Sequence, residues 1–272
     1  MKKRILKITA FCLAIVLIIG ICSFANGLVG NPISKILARH TAEKYLEANY
    51  GNTDYAIEEI SYNFKDGGYY AHIVSPSSMD SHFTLRISMS GNLTYDDYSS
   101  RVENHGNAAN RLYFEYREMV DSVLKSYAFP YDISMGYGSL EFDWEVGEEE
   151  IDGVLKQSDL VNDKFYNVSE LGKTNGKLVL YIDDQTVTNE KAAEILLKTK
   201  ELMDGAGISF YSIHFILRYP PYDATKSYSR PEGEISIRKI LYTDIYEEGM
   251  TERIAKAIED TQNYYKEQNQ TK

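Results

Sequence analysis

ILKITAFCLAIVLIIGICSFA, residues 5–25, is the stretch that decides how this chain is built. From Ile8 to Ala25 no charged residue interrupts it, and a helix of that length crosses a hydrocarbon layer about 30 Å thick. Ile8, Phe11, Leu13, Ile15, Val16, Leu17, Ile18, Ile19, Ile21 and Phe24 are its strongly apolar members. At roughly 0.3 to 0.6 kcal/mol each near the bilayer centre, they favour insertion by about 3 to 6 kcal/mol. Lys2, Lys3, Arg4 and Lys7 crowd the N-terminal flank with no acidic residue among them. The excess of cations holds that flank in the cytoplasm and sends the remainder outward. The expectation is a single-pass protein of the cell membrane: a cytoplasmic stub at 1–7, a transmembrane anchor at 8–28, and extracellular domains after it.

Two other fates compete with a retained anchor. Ser23-Phe24-Ala25 resembles a signal-peptidase site, so cleavage after Ala25 would release a secreted form, although the apolar run is longer than a usual signal core. Acylation is disfavoured, because Cys12 follows Phe11 and Cys22 follows Ile21 where a small residue is required.

Composition sets further bounds. The 272 residues leave about 245 beyond the anchor, enough for one large domain or two of ordinary size. Removing Lys2, Lys3, Arg4 and Lys7 from the 29 basic residues leaves 25 against 40 acidic ones, a net charge of about −15. Such a body repels nucleic acid and anionic lipid headgroups, so neither is an expected partner, and it could attract cations or a basic protein partner. Both cysteines, Cys12 and Cys22, lie in the apolar run, so the outward part has neither a disulfide framework nor a thiolate metal site. The 23 tyrosines read as sheet faces and helix undersides rather than as a carbohydrate-binding surface.

The first half reads as a helix, a meander and a helix. Asn31-Pro32 opens a helix whose Leu37, Ala38, Thr41, Ala42, Tyr45, Leu46 and Asn49 fall on one stripe before Gly51-Asn52 ends it. Strands are expected over 56–64, 69–74, 83–89 and 93–98. The clearest is the third, where Phe83, Leu85, Ile87 and Met89 alternate with polar residues. Short turns at Asp66-Gly67-Gly68 and Ser90-Gly91-Asn92 require antiparallel neighbours. A helix over 108–127 comes next, with Leu112, Tyr116, Met119, Val120, Val123, Leu124 and Tyr127 on one stripe.

Within this half, NPISKILARHTAEKYLEANY (31–50) and YNFKDGGYYAHIVSPSSMDSHFTLRIS (62–88) resemble the N-terminal part of the YfjL-like proteins of Gram-positive bacteria. The resemblance runs from Asn31 to about Ser88 and is weaker beyond. It implies a membrane-anchored, outward-facing module without an assigned activity, and it carries no catalytic residues to transfer.

Phe129-Pro130 breaks the helix and divides a first domain, 31–128, from a second, 129–272. Two short strands, 132–135 and 140–146, are expected, then an irregular polar stretch over 151–174. A strand at 177–182, a helix at 188–203 and a strand at 208–218 form a right-handed crossover with parallel strands. A strand over 234–242 returns antiparallel, and a final helix buries Met250, Ile254, Ala257, Ile258 and Thr261. The fold class is α+β: an N-terminal transmembrane helix followed by two small domains, each an antiparallel or mixed sheet covered by helices.

No constellation of residues commits to chemistry. His72 and His82 could approach across the first hairpin, but a structural zinc takes four ligands and no third stands at usable spacing. His40 and His105 read as surface residues, and His214, inside an apolar strand, as a hydrogen-bonded core histidine. Asp143, Glu145, Glu148, Glu149, Glu150 and Asp152 form an acidic turn without the ligand spacing of a calcium loop. Asp183-Asp184 follows a strand where α/β sheets place functional carboxylates, and equally where turns place Asp. Trp144 reads as packing. No catalytic, cofactor-binding or metal residue is therefore assigned and no cofactor is expected. The chain reads as an extracytoplasmic binding or accessory module without catalysis. The rival reading is a hydrolase whose carboxylates assemble only in the fold.

Overall fold

The computed structural model describes residues 2–126, 128–142, 153–222 and 230–270. The expected strand segment beyond residue 142, the acidic turn and Trp144 lie outside the described residues. By contact the chain forms two compact units, Met1–Ala108 with Val161–Asp163, and Ala109–Leu160 with Lys164–Lys272.

The first unit begins with α1 (Lys2–Val29) and α2 (Pro32–Tyr50). The helical run Leu6–Tyr50 holds the one stretch among the described residues long and apolar enough to cross a membrane. From Leu6 to Val29 its large apolar side chains are exposed. Gly30 separates α1 from α2 with φ +70, and a Cβ there would lie 2.5 Å from the Tyr69 hydroxyl and 2.8 Å from Tyr62 Cγ. Only glycine fits both the conformation and the space. The Asn31 side chain then caps α2 by accepting from the Ser34 N–H at 2.8 Å.

The meander β1 (Ala56–Asn63), β2 (Gly68–Val74), β3 (His82–Ser88) and β4 (Leu93–Asp96) is antiparallel in the order β1-β2-β3-β4. Ile60, Tyr69, Ala71, Ile73, Phe83, Leu85 and Ile87 form the buried face. Against it α2 buries Ser34, Ala38, Ala42 and Leu46. The stripe is rotated from the one expected, leaving Leu37 at 42% exposure. Small residues at i, i+4 spacing let the helix lie close to the sheet, while Leu37 sits beside the β3–β4 turn, 3.2 Å from a Cβ position on Gly91. The Thr41 hydroxyl donates to the Gly91 carbonyl there. At the other end of α2, Tyr50 packs its ring 4.7 to 5.5 Å from Tyr98, Phe83 and Tyr55. These rings fill their own space in edge-to-face contacts and are packing.

The second unit is built on β5 (Asp132–Leu140), β6 (Gly176–Asp183), β7 (Ser212–Arg218) and β8 (Glu234–Leu241) in the order β5-β6-β7-β8. β6 and β7 are parallel, joined by α5 (Asn189–Gly205), and the other pairs are antiparallel. β5 runs on from the expected 132–135 to Leu140, and its centre is Gly136 and Gly138. Glycine weakens a strand by itself, but here both face α3 (Gly106–Leu124), which takes up the missing side chains. A Cβ on Gly138 would meet Val120 at 2.5 Å and Tyr116 at 2.8 Å, and one on Gly136 would meet Leu124 at 3.2 Å. That packing is why α3, expected over the first sheet, groups with the second. Tyr116 is fully buried and donates to the Ser209 carbonyl at 2.8 Å, and burial pushes its hydroxyl pKa well up. The short helix α4 (Val168–Asn175) fits beside it because Gly172 would otherwise drive a Cβ into the Ser209 carbonyl.

Leu178, Leu180, Ile182, Ile213, Phe215, Leu217 and Ile237 form the helix-covered face of this sheet, with Ala192, Ile195, Leu196 and Met203 of α5 inward. The last helix, α6 (Met250–Gln270), runs along β8. Its Thr261 hydroxyl accepts the edge Arg238 N–H at 3.0 Å. Both sheets thus carry helices on one face, and the fold is α+β.

Gly138→Ala is expected to destabilise the protein by about 1 to 3 kcal/mol through overpacking against Val120 and Tyr116. Thermal and urea unfolding of the detergent-solubilised full chain will measure it, and an unchanged midpoint would contradict the α3–β5 contact.

Candidate functional site

Chemistry-bearing side chains collect on the face of the second sheet opposite the helix-covered one. The register sets them in rows. Tyr137, Val179 and His214 are cross-strand partners, as are Met135, Tyr181, Ile216 and Ser236, and Asp183 with Arg218. Tyr137, Tyr181, His214, Ile216, Arg218, Ser236 and Arg238 are all partly exposed.

His214 holds the centre. Its Nδ1 lies 3.2 Å from the Arg238 carbonyl, at the bulge where β8 places two residues, Arg238 and Lys239, between the partners of Ile213 and Phe215. A carbonyl only accepts, so Nδ1 carries the proton and Nε2 is left as an acceptor, 3.3 Å from the Tyr181 hydroxyl. Burial lowers the imidazole pKa, and the positive charges of Lys177 and Arg238 lower it further against the opposing pull of the carbonyl. The ring is neutral, hydrogen-bonded and tilted by 33° against Tyr181, its centroid 5.6 Å away. Burial raises the Tyr137 hydroxyl pKa, while the Arg117 guanidinium lies 4.8 Å over that ring.

At the carboxyl end of β6, Asp183 is buried to 9% side-chain exposure between two arginines, at 3.2 Å from Arg218 Nε and 2.8 Å from Arg230 Nη1. Arg218 also donates to Ser134 Oγ at 3.2 Å, and Arg230 to the Tyr219 carbonyl at 2.8 Å. Asp184 accepts the Thr186 N–H at 2.8 Å and lies 3.9 Å from Lys191. The first aspartate is thus an ion-pair centre and the second a turn residue. Asp132 of β5 is the register partner of Asp183.

The remaining candidates are dispersed. His72 is the register partner of Thr84 and His82 that of Val74, so the two histidines are diagonal rather than paired. His72 Nε2 has Ser61 Oγ at 3.4 Å. His40 is exposed, and His105, at φ +57, meets Asn162 Oδ1 through Nδ1 at 2.9 Å. Among the described residues no group of three His, Cys, Asp or Glu is placed to hold a metal ion.

One set of functional groups was missed by sequence reasoning. In the first unit, the Ser75–Asp80 loop is held between two aspartates. Asp54 accepts from Ser75 Oγ at 2.6 Å and from the Ser77 N–H at 3.2 Å, and these bonds lower its pKa. Asp163 accepts from Ser78 Oγ, the Met79 N–H and the Asp80 N–H at 2.8 to 3.1 Å, and donates its own N–H to Asp80 Oδ2. Asp163 adopts φ +62, which asparagine and aspartate tolerate best, but nothing in the polar stretch around it announces that partner.

The fold defines a class: an α+β protein with one apolar helix of membrane-crossing length and two four-stranded sheets packed with helices. The chain belongs to the YfjL-like family. Residues 5–120 match its N-terminal domain and residues 115–265 its C-terminal domain, so the resemblance visible at 31–88 extends over nearly the whole sequence. No curated protein matches the chain. A crystal structure of a DUF5037 family protein from Ruminococcus gnavus ATCC 29149 is similar over 69% of this chain and 76% of that one, at 17% identity and a TM-score of 0.21.

Two outcomes test the site geometry. Asp183→Ala strands two guanidinium groups and is expected to cost about 3 kcal/mol, measured by urea unfolding. For His214 the folded pKa lies below the unfolded one, so the unfolded chain takes up the proton first as pH falls. Stability is therefore present above pH about 6.5 and is lost on acidification below it, and His214→Gln flattens that slope. Unfolding midpoints followed across this range will decide.

Proposed function

We propose that this is a single-pass membrane protein, with its N-terminus in the cytoplasm and both units outside, that acts by binding as an accessory module without catalysis. The observation that carries the reading is the partly exposed face of the second sheet. Its Tyr137, Tyr181, His214, Ile216 and Arg218 are held half-exposed by strands, and Tyr and Arg are the residues that supply most binding energy at protein interfaces. Rigid strands present them at little entropic cost. The aromatic character of this face, with Arg218 paired to Asp183, favours a protein partner.

The cluster Lys2, Lys3, Arg4 and Lys7 supports the orientation. The residues just after Ala25 support retention, since the last turn of α1 is engaged with the first sheet. The Tyr62 hydroxyl donates to the Gly27 carbonyl at 2.9 Å, and Asn31 Nδ2 to Asn26 Oδ1 at 2.8 Å. A cut after Ala25 would fall within a helix.

The test is photo-crosslinking on intact cells from residues placed at Ile216 and Ser236, with Glu201 on the exposed side of α5 as control. A discrete adduct from the two sheet positions and none from the control is expected. Equal labelling from all three, or turnover of cell-wall or peptide substrates by the purified chain, would refute the reading. Protease added to intact protoplasts is expected to digest the chain beyond α1, and protection would reverse the orientation.

A further inference from the structure

The end of the first unit nearest α1 differs from the rest of it. In the meander, the β1–β2 and β3–β4 turns share one end with the start of α2, and the Ser75–Asp80 loop lies at the other. The Tyr62 hydroxyl bonded to Gly27, and Leu37 against Gly91, place both turns beside the helix exit. Here apolar side chains stand in the open: Val29 is 75% exposed, Ile33 73%, Ile36 67%, and Phe64, at the tip of the β1–β2 turn, 59%. Val29 also lines a cleft of about 630 Å³ with Lys35, Tyr62 and Tyr69.

Charge is distributed to match. From Asn26 to Ala42 the only charged residues are Lys35 and Arg39, and Lys65 follows Phe64 at the turn tip. The one acid of that turn, Asp66, is taken by Arg86 at 3.4 Å and by the Tyr70 hydroxyl. Asp54, Asp80, Asp97 and Glu103 belong to the opposite half. This polarity occurs in a chain of net charge −11.

If α1 crosses the bilayer through residues 8–25, Asn26–Val29 rise about 6 Å at 1.5 Å per residue, the depth of one headgroup layer. Gly30 and the residues bonded around it then stand at the membrane surface. We propose that this end of the first unit rests on the bilayer and binds anionic phospholipid headgroups, with Lys35, Arg39 and Lys65 on the phosphates and Ile33, Ile36 and Phe64 in the interface. The proposal rests on the reading of α1 as a membrane anchor. It gives α1 a second role, because a helix rooted in the sheet at Gly27 and Asn31 holds the unit against the lipid at a set height.

The experiment uses the full chain in nanodiscs of phosphatidylcholine with phosphatidylglycerol, and of phosphatidylcholine alone. Cys12 and Cys22, both in α1, are replaced by serine, and spin labels are placed singly at Ile36, Phe64 and the exposed Met79 of the opposite loop. A label at native Cys12 reports insertion separately. Power saturation is expected to show Cys12 in the hydrocarbon, 36 and 64 at headgroup depth, and 79 in water. Each reversal among Lys35→Glu, Arg39→Glu and Lys65→Glu lowers the lipid-contacting population at 64 about fivefold in the anionic discs. Labels at 36 and 64 as water-exposed as 79, with Cys12 inserted, overturn the proposal and leave the anchor standing. A water-exposed Cys12 overturns the anchor itself. Equal depth at 64 in both lipids overturns the headgroup assignment.

Discussion

The hydroxyl of Tyr69 is the point from which the first unit takes its geometry. It accepts the Asn31 N–H and donates to the Asn31 carbonyl, each at 2.7 Å, so one buried side chain satisfies both backbone groups at the break between α1 and α2. Chain groups freed at such a break must find partners, and here the partner comes from the start of the central strand β2. Gly30 is required because anything larger would push Tyr69 away, and Asn31 is required to start α2 again. Everything else in the unit depends on where that contact lies: which end of the meander faces the apolar helix, and which face α2 covers.

The second unit depends on an exchange of volume. Gly136 and Gly138 remove side chains from β5, and Tyr116, Val120 and Leu124 of α3 replace them. The close approach buries Tyr116 fully and lets its hydroxyl reach the Ser209 carbonyl. With α3 and α5 on one face, the other is left to residues that tolerate partial exposure. Tyr137, Tyr181 and His214 have apolar bodies and polar tips, so neither water nor a partner leaves them unsatisfied.

Elements whose signal is local were legible in the sequence. The alternation of Phe83, Leu85 and Ile87, the turn glycines, and the strand–helix–strand order of β6, α5 and β7 all translate into what is observed. Features that were not legible depend on partners distant in the chain. Gly136 and Gly138 read as a break until Val120 is known to fill their space. The α2 stripe is set by small residues rather than by the apolar ones, because closeness to the sheet outweighs area at Leu37. The roles of Asp183 and Asp163 are set by Arg218, Arg230 and the Ser78–Asp80 backbone, which lie 35 to 85 positions away. His214 was readable as hydrogen-bonded, but its acceptor is the carbonyl of a bulge, and bulges leave little trace in sequence.

The same separation bears on function. A strand presents alternate side chains to opposite faces, so every residue that packs the second core fixes a neighbour on the other side. Ile213 and Phe215 bracket His214, and Ile182 lies between Tyr181 and Asp183. A one-residue slip would send the tyrosine, histidine and arginine inward and the isoleucines out, at a cost no local contact could offset. The positions of the half-exposed groups are therefore determined by the hydrophobic core rather than by any ligand. A surface held this way is pre-organised by the fold itself.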